Sequence, residues 1–135
     1  MSEPKQETPK YKVLVVEDTV ELAEIIRAVL ERLELTVFHE THGGKALEVF
    51  KAENPDLLLL DLSLPDMSGW KVLDTIKDEG LADSSLSVIV ITAYGDPANR
   101  VMGKLQEVHD YLLKPLKPDE VKRVVVKALK LQDQK

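Results

Sequence analysis

The run Leu57-Leu58-Leu59-Leu60-Asp61 consists of four consecutive apolar residues that end in a carboxylate. Four leucines in a row have neither a helical nor an alternating period, and such a run is typical of a strand buried on both faces of a parallel sheet. Open α/β sheets bind their ligands beside the carboxyl ends of such strands. A single aspartate there is more often a solvated loop residue, so Asp61 becomes a candidate site residue only if other strand ends supply partners.

Short apolar runs elsewhere predict four more strands, and amphipathic stretches between them predict helices. The predicted strands are 12–16, 36–40, 57–61, 87–91 and 109–113. The mixed pattern of 36–40 indicates an edge strand, and the pair Gly43-Gly44 predicts a break before a helix over 45–52. Regular alternation predicts an α/β fold, a five-stranded, doubly wound parallel (βα)5 sheet with the flavodoxin-like order 2-1-3-4-5.

Length and composition predict one soluble, cytoplasmic domain. The 135 residues are 44% hydrophobic and 31% charged, with a net charge of −6 and no cysteine. The acidic balance argues against direct nucleic-acid binding, and no apolar run approaches the ~20 residues of a membrane helix. We expect residues 1–10 to be a disordered lead-in, residues 11–131 to form the domain and residues 132–135 to be a polar tail.

Three acids, a hydroxyl and an ammonium group stand at the predicted strand ends. Glu17 and Asp18 follow the first strand, Asp61 ends the third, Thr92 follows the fourth and Lys114 follows the fifth. Clustered carboxylates raise each other's pKa unless a cation joins them. An oxygen-only set suits a hard cation, and Mg²⁺ is the natural choice, whereas zinc is disfavoured without cysteine.

This set of residues favours phosphoryl transfer. A carboxylate beside Mg²⁺ can attack phosphorus and form an aspartyl phosphate. The transferring group carries its charge on three equatorial oxygens, which Mg²⁺, Lys114 and the Thr92 hydroxyl could each stabilise.

Four motifs in this order give a specific resemblance. They are Val15-Val16-Glu17-Asp18, Asp61 with Pro65 and Gly69, Thr92-Ala93, and Tyr111-Leu112-Leu113-Lys114-Pro115. On these motifs, residues 11–131 resemble the receiver domain of two-component response regulators, in the chemotaxis-regulator-like superfamily.

The resemblance implies that Asp61 is the phosphoacceptor, taking a phosphoryl group from the phosphohistidine of a sensor kinase. It implies Mg²⁺, with Mn²⁺ as an alternative, bound by Asp18, Asp61 and the backbone carbonyl of Ser63, with Glu17 acting through a metal-bound water. Ser63 and Tyr94 would flank the route of the water that removes the phosphoryl group.

The resemblance also implies a switch. Thr92 and Tyr111 would be the switch pair, Lys114 would hold a phosphoryl oxygen, and the Lys114–Pro115 bond would be cis. We expect a signalling switch rather than an enzyme, catalysing only its own phosphorylation and autodephosphorylation.

The expected partners are a sensor histidine kinase or a histidine phosphotransfer protein, and a downstream effector bound through helix 4, strand 5 and helix 5. No direct contact with nucleic acid or membrane is expected, and the chain is expected to be a monomer or a phosphorylation-dependent dimer.

Three alternatives differ in what they require of the sequence. A phosphatase of the haloacid-dehalogenase type needs a second aspartate where this chain has Ser63. A flavin-phosphate binder needs a Ser/Thr/Gly-rich loop where it has Glu17-Asp18. A degenerate receiver would lack the acceptor, metal or switch residues, which are all present here.

Two local features leave room for other outcomes. Asp18 and Glu21 have the spacing of a capping box, so capping of the first helix is an alternative role for Asp18, and the two roles can coexist. Many receivers carry a glycine before the fifth strand where this chain has Glu107-Val108-His109, so we expect the fourth helix to end differently.

Overall fold

The computed structural model describes residues 11–83, 85–93 and 97–131, and within them five strands alternate with five helices. The strands are β1 (Lys12–Val16), β2 (Thr36–Glu40), β3 (Leu57–Asp61), β4 (Ser87–Thr92) and β5 (Asp110–Leu113). The helices are α1 (Val20–Arg32), α2 (Gly43–Glu53), α3 (Gly69–Asp78), α4 (Pro97–Leu105) and α5 (Pro118–Leu129). The predicted fold class is confirmed. None of the described helices has the length and apolarity needed to cross a bilayer.

The strands form one parallel sheet in the predicted order, β2-β1-β3-β4-β5. β2 is an edge strand with half-buried residues throughout, as its mixed pattern predicted. β1 pairs with β3, and Val16 lies opposite Leu60. The residues that follow β1 therefore lie beside Asp61.

The four leucines of β3 divide between two hydrophobic cores. Leu57 and Leu59 pack with α1 and α5, while Leu58 and Leu60 pack with α2 and α3. All four are 0% exposed. Burying one leucine side chain contributes about 1.5–3 kcal/mol, so the strand that carries Asp61 is firmly anchored on both faces.

The prediction of a break at Gly43-Gly44 is wrong, because α2 begins at Gly43. A Cβ at Gly43 would lie 2.6 Å from Met67 Cγ and 2.8 Å from Val72 Cγ2, so the helix needs a residue without a side chain there. The Asp66 carboxylate accepts the backbone N–H groups of Gly43 at 2.8 Å and Gly44 at 2.9 Å. Both glycines are helical because a distant loop packs against them and caps them.

The alternative role of Asp18 as a helix cap is not found in the structure. The N-cap residue of α1 is Thr19, and among the described residues no side chain caps this helix. The backbone N–H of Thr19 donates instead to Glu17 Oε2 at 3.1 Å. Asp18 is exposed, which leaves its carboxylate available at the edge of the sheet.

The segment after the fourth helix contains a left-handed residue without a glycine. Glu107 has φ 60°, in the left-handed region that favours glycine. The sequence Asp96-Pro97 predicts an N-cap followed by proline at the first helical position. Asp96 lies outside the described residues, as do Tyr94, the lead-in 1–10 and the tail 132–135.

Candidate functional site

Three carboxylates meet at the carboxyl edge of the sheet. Ligand oxygens of Glu17, Asp18 and Asp61 all lie within 4.8 Å of one another. The pairing of β1 with β3 brings them together, because two of them follow Val16 and the third ends the neighbouring strand. Glu17 and Asp61 are buried and Asp18 is exposed, so the cluster opens to solvent on one side.

A single lysine joins two of these acids. Lys114 Nζ lies 2.9 Å from Asp61 Oδ2 and 3.4 Å from Glu17 Oε2. Its backbone N–H donates to the carbonyl of Thr92 at 2.9 Å, which extends the β4–β5 pairing up to the lysine. The Lys114–Pro115 peptide bond is cis. Burial lowers the pKa of Lys114, but the hydrogen bond and charge of Asp61, with the charge of Glu17, outweigh burial and raise it above its ordinary value.

The second oxygen of Asp61 is also held. The backbone N–H of Ser63 donates to Asp61 Oδ1 at 2.8 Å. The chain then turns tightly, and the N–H of Gly69 donates to the carbonyl of Leu62 at 2.9 Å. Asp61 therefore has one oxygen on a backbone amide and one on an ammonium group, which fixes the plane of the carboxylate.

Glu17 has the least satisfied environment of the cluster. Its Oε2 accepts the Thr19 N–H and pairs with Lys114, but its Oε1 is buried and has no hydrogen-bond partner among the described residues. Burial, assisted by the neighbouring Asp61, raises the pKa of Glu17 to about 7, although the Thr19 N–H acts to lower it. A buried carboxylate oxygen without a donor, beside two other acids, fits a hard divalent cation.

His39 is a positioning residue that the sequence did not single out. Its Nε2–H donates to the backbone carbonyl of Glu17 at 2.8 Å. The parallel register sets this contact, because His39 lies opposite Val15 in the β1–β2 pair. The sequence did not indicate this contact, because an isolated histidine on a predicted edge strand does not show which residue it faces. Only the register of β2 against β1 could have suggested it.

The two residues of the predicted switch pair lie on neighbouring strands. Thr92 ends β4 and is buried, one residue beyond Ile91, which pairs with Asp61. Tyr111 on β5 extends to α4, where its hydroxyl donates to the carbonyl of Arg100 at 3.4 Å and the Arg100 guanidinium lies 4.8 Å from the ring centroid. The structure thus brings the acids and Lys114 into contact, while the Tyr111 side chain contacts α4.

Curated relatives match this chain over about half of their own length. The relative named "DNA-binding response regulator MtrA" from Mycobacterium tuberculosis is 36% identical over 117 residues, which cover 85% of this chain and 49% of the relative. The relative named "Probable transcriptional regulator ycf27" from Cyanophora paradoxa is 33% identical over 115 residues, 85% of this chain and 46% of the relative. The chain therefore spans about half the length of the curated relatives it matches.

Solved structures agree with the fold. The signal receiver domain of a protein described as a Luxo repressor from Vibrio parahaemolyticus superposes with a TM-score of 0.82 at 34% identity, covering 90% of this chain and 92% of that one. A CheY-like receiver domain protein from Methanospirillum hungatei also gives 0.82, at 23% identity, over 90% of this chain and 95% of that one, a likeness of fold alone.

The family model for the response regulator receiver domain matches residues 13–126, which include every strand end described above. Its range confirms the resemblance seen in the four sequence motifs. The chain therefore belongs to the response regulator receiver domains, the phosphorylation-dependent signalling domains of two-component systems.

Proposed function

We propose that Asp61 accepts a phosphoryl group from the phosphohistidine of a sensor histidine kinase or a histidine phosphotransfer protein. The observation that supports this proposal most directly is the environment of the Asp61 carboxylate. Asp61 is 2% exposed at the end of a buried strand, and Lys114 Nζ lies 2.9 Å from one of its oxygens. Preplaced positive charge beside a nucleophilic carboxylate is what transfer of a charged phosphoryl group requires.

In this transfer, a carboxylate oxygen of Asp61 attacks phosphorus and the P–O bond forms. The P–N bond to the donor histidine breaks, and its electron pair stays on the imidazole nitrogen. Lys114 keeps its ammonium group beside the new acyl phosphate and offsets part of its charge. The Ser63 N–H holds the other Asp61 oxygen, so the nucleophile stays oriented throughout.

Mg²⁺, with Mn²⁺ as the alternative, fits the acid cluster. Asp18, Asp61 and the backbone carbonyl of Ser63 would hold it directly, and Glu17 through a water. The three carboxylates within 4.8 Å support this assignment, as does Glu17 Oε1, which has no hydrogen-bond partner within ranges 11–83, 85–93 and 97–131. When bound, the ion would neutralise charge on the phosphoryl oxygens.

Thr92 and Tyr111 would carry the signal from Asp61 to a partner. Contact of Tyr111 with α4 at Arg100 supports this route. The surface formed by α4, β5 and α5 would be the one that a downstream effector binds. Its exposed apolar side chains include Val101 and Leu105, with Leu113 at 48% exposure, and these suit a protein partner.

Direct contact with nucleic acid is not part of this proposal. The names of the relatives that mention DNA or transcription describe whole proteins of which this chain matches about half. A net charge of −6 supports a role without nucleic-acid binding for this domain, and that role stays a prediction. The same holds for autodephosphorylation and for a monomer that dimerises on phosphorylation.

The test uses phosphoramidate as a small donor with Mg²⁺ and reads the intact protein mass. We expect one added phosphoryl group on the wild type and none on Asp61→Asn, whose amide is not a nucleophile. Chelation of the metal should suppress the reaction of the wild type. An equal adduct on Asp61→Asn would overturn the proposal.

A further inference from the structure

Helix α4 is attached to the domain differently from the other helices. Each of α1, α2, α3 and α5 contributes several buried apolar side chains to a core. Among residues 99–105 of α4, no side chain joins either core, and Gly103 is the only buried residue. Besides the contacts of Tyr111 with Arg100 and Gly103, polar contacts therefore contribute to the position of this part of α4.

Polar contacts from one face of α3 supply that attachment. Trp70 Nε1 donates to Asn99 Oδ1 at 3.1 Å. One turn further along α3, Asp74 Oδ1 accepts from the side-chain amide of Gln106, the residue directly after α4, and Lys77 Nζ donates to the Gln106 carbonyl. The three α3 residues have i, i+4, i+7 spacing and share a face. We call these five residues the α3–α4 clamp.

The two ends of the clamp differ in how firmly they are anchored. α3 begins against the phosphoacceptor strand, since a Cβ at Gly69 would lie 2.4 Å from the carbonyl oxygen of Asp61. Val72, Leu73 and Ile76 then bury the other face of the helix. Helix α3 is thus fixed relative to Asp61, while α4 is held to it by hydrogen bonds that contribute little net stability each.

We propose that the α3–α4 clamp holds α4 in its unphosphorylated position and sets how readily modification of Asp61 rearranges the α4–β5–α5 surface. Trp70, Asp74 and Asn99 are positioning residues in this scheme, which rests on the proposed function. Because coupling between two sites is reciprocal, a contact that favours the unphosphorylated state weakens binding of a phosphoryl group or its mimic at Asp61. Breaking the clamp then strengthens that binding.

The experiment measures the affinity for beryllium trifluoride, a stable phosphoryl mimic, by ¹⁹F NMR at constant Mg²⁺. Asn99→Leu keeps the side-chain size and removes the acceptor, while Asn99→Asp keeps an acceptor oxygen. Asp74→Ala breaks the second contact from α3 and leaves α4 untouched. Trp70 is the only tryptophan in the chain, so its indole N–H resonance reports the clamp without any ligand.

We expect Asn99→Leu and Asp74→Ala to bind the mimic about two- to tenfold more tightly, the range given by losing one net hydrogen bond. Asn99→Asp should match the wild type. Faster hydrogen exchange of the indole N–H in Asn99→Leu should accompany the change. This inference alone is overturned if Asn99→Leu and Asp74→Ala both bind the mimic with wild-type affinity. It is also overturned if Asn99→Asp binds the mimic as tightly as they do. A wild type that binds the mimic no better than Asp61→Asn overturns the proposed function and this inference together.

Discussion

Lys114 balances two buried acids with one ammonium group. It contacts Asp61 Oδ2 and Glu17 Oε2 and is itself half-buried, with 23% of its side chain exposed. The raised pKa of Lys114 keeps it cationic across the physiological range. Without it, the carboxylates at this edge would have no side-chain cation in contact within the described residues.

We expect Lys114→Met to slow phosphorylation of Asp61 by about 10²-fold, the usual effect of removing one preplaced electrostatic contact. The rate of phosphoprotein formation from phosphoramidate at saturating Mg²⁺ measures it. Lys122→Met is the matched control, because it removes an exposed lysine of α5 with the same change of charge. A Lys114→Met rate equal to that of the control would rule out the role given to Lys114.

Gly103 leaves room for the Tyr111 side chain against α4. A Cβ at position 103 would lie 1.5 Å from Tyr111 Oη, far inside contact distance. Gly103→Ala should therefore displace Tyr111 and destabilise the fold by about 1–3 kcal/mol, as overpacking does. In a Tyr111→Ala background, the same substitution should be neutral or stabilise by up to about 1 kcal/mol through helix propensity.

Urea denaturation of the four proteins in this cycle gives the interaction free energy between the two positions. An equal effect of Gly103→Ala in both backgrounds would show that Tyr111 does not occupy the space beside Gly103.

At the scale of elements, the loop after β3 links α2 to the site. The Asp66 carboxylate accepts two backbone N–H groups at the start of α2, where the helix has unpaired donors and a positive dipole end. The hydrogen bond from Gly44, then that from Gly43, lowers the pKa of Asp66. The same loop carries Ser63, so this cap also restrains the backbone beside Asp61.

We expect Asp66→Asn to be less stable than the wild type at pH 7, with the difference disappearing in acid. A carboxylate whose pKa is lowered by folding stabilises the fold above its unfolded pKa of about 3.9, and this stability is lost as pH falls through the lower folded value. Urea denaturation at pH 7 and at successively lower pH measures the difference. Asp78→Asn, which removes an exposed aspartate at the end of α3, should not lower stability at pH 7. A difference in unfolding free energy between the wild type and Asp66→Asn that does not change with pH would contradict this account of the cap.

At the scale of the whole molecule, the sheet and its acid cluster were predictable because they follow from local patterns. The leucine run predicted β3 as a buried strand. The alternation of strands with amphipathic helices predicted a doubly wound parallel sheet, as the structure shows. Once β1 and β3 are neighbours, Glu17, Asp18 and Asp61 must meet.

Contacts between loops and helices far apart in sequence were not predictable. Gly43 is helical because Met67 and Val72 pack onto it, and no local rule anticipates this. The bond from Trp70 to Asn99 joins residues 29 apart on two helices. The exposure of Leu105 could not be predicted either, because an apolar stripe looks the same in sequence whether a core or a partner covers it.

Mapping the modified residue tests the central assignment most directly. Borohydride reduces an aspartyl phosphate to homoserine, and peptide mass spectrometry then locates it. After treatment with phosphoramidate and Mg²⁺, we predict homoserine at position 61 and unmodified residues at positions 17 and 18. Homoserine at another acid, or a phosphoryl group that borohydride leaves untouched, would contradict the assignment of Asp61 as the phosphoacceptor.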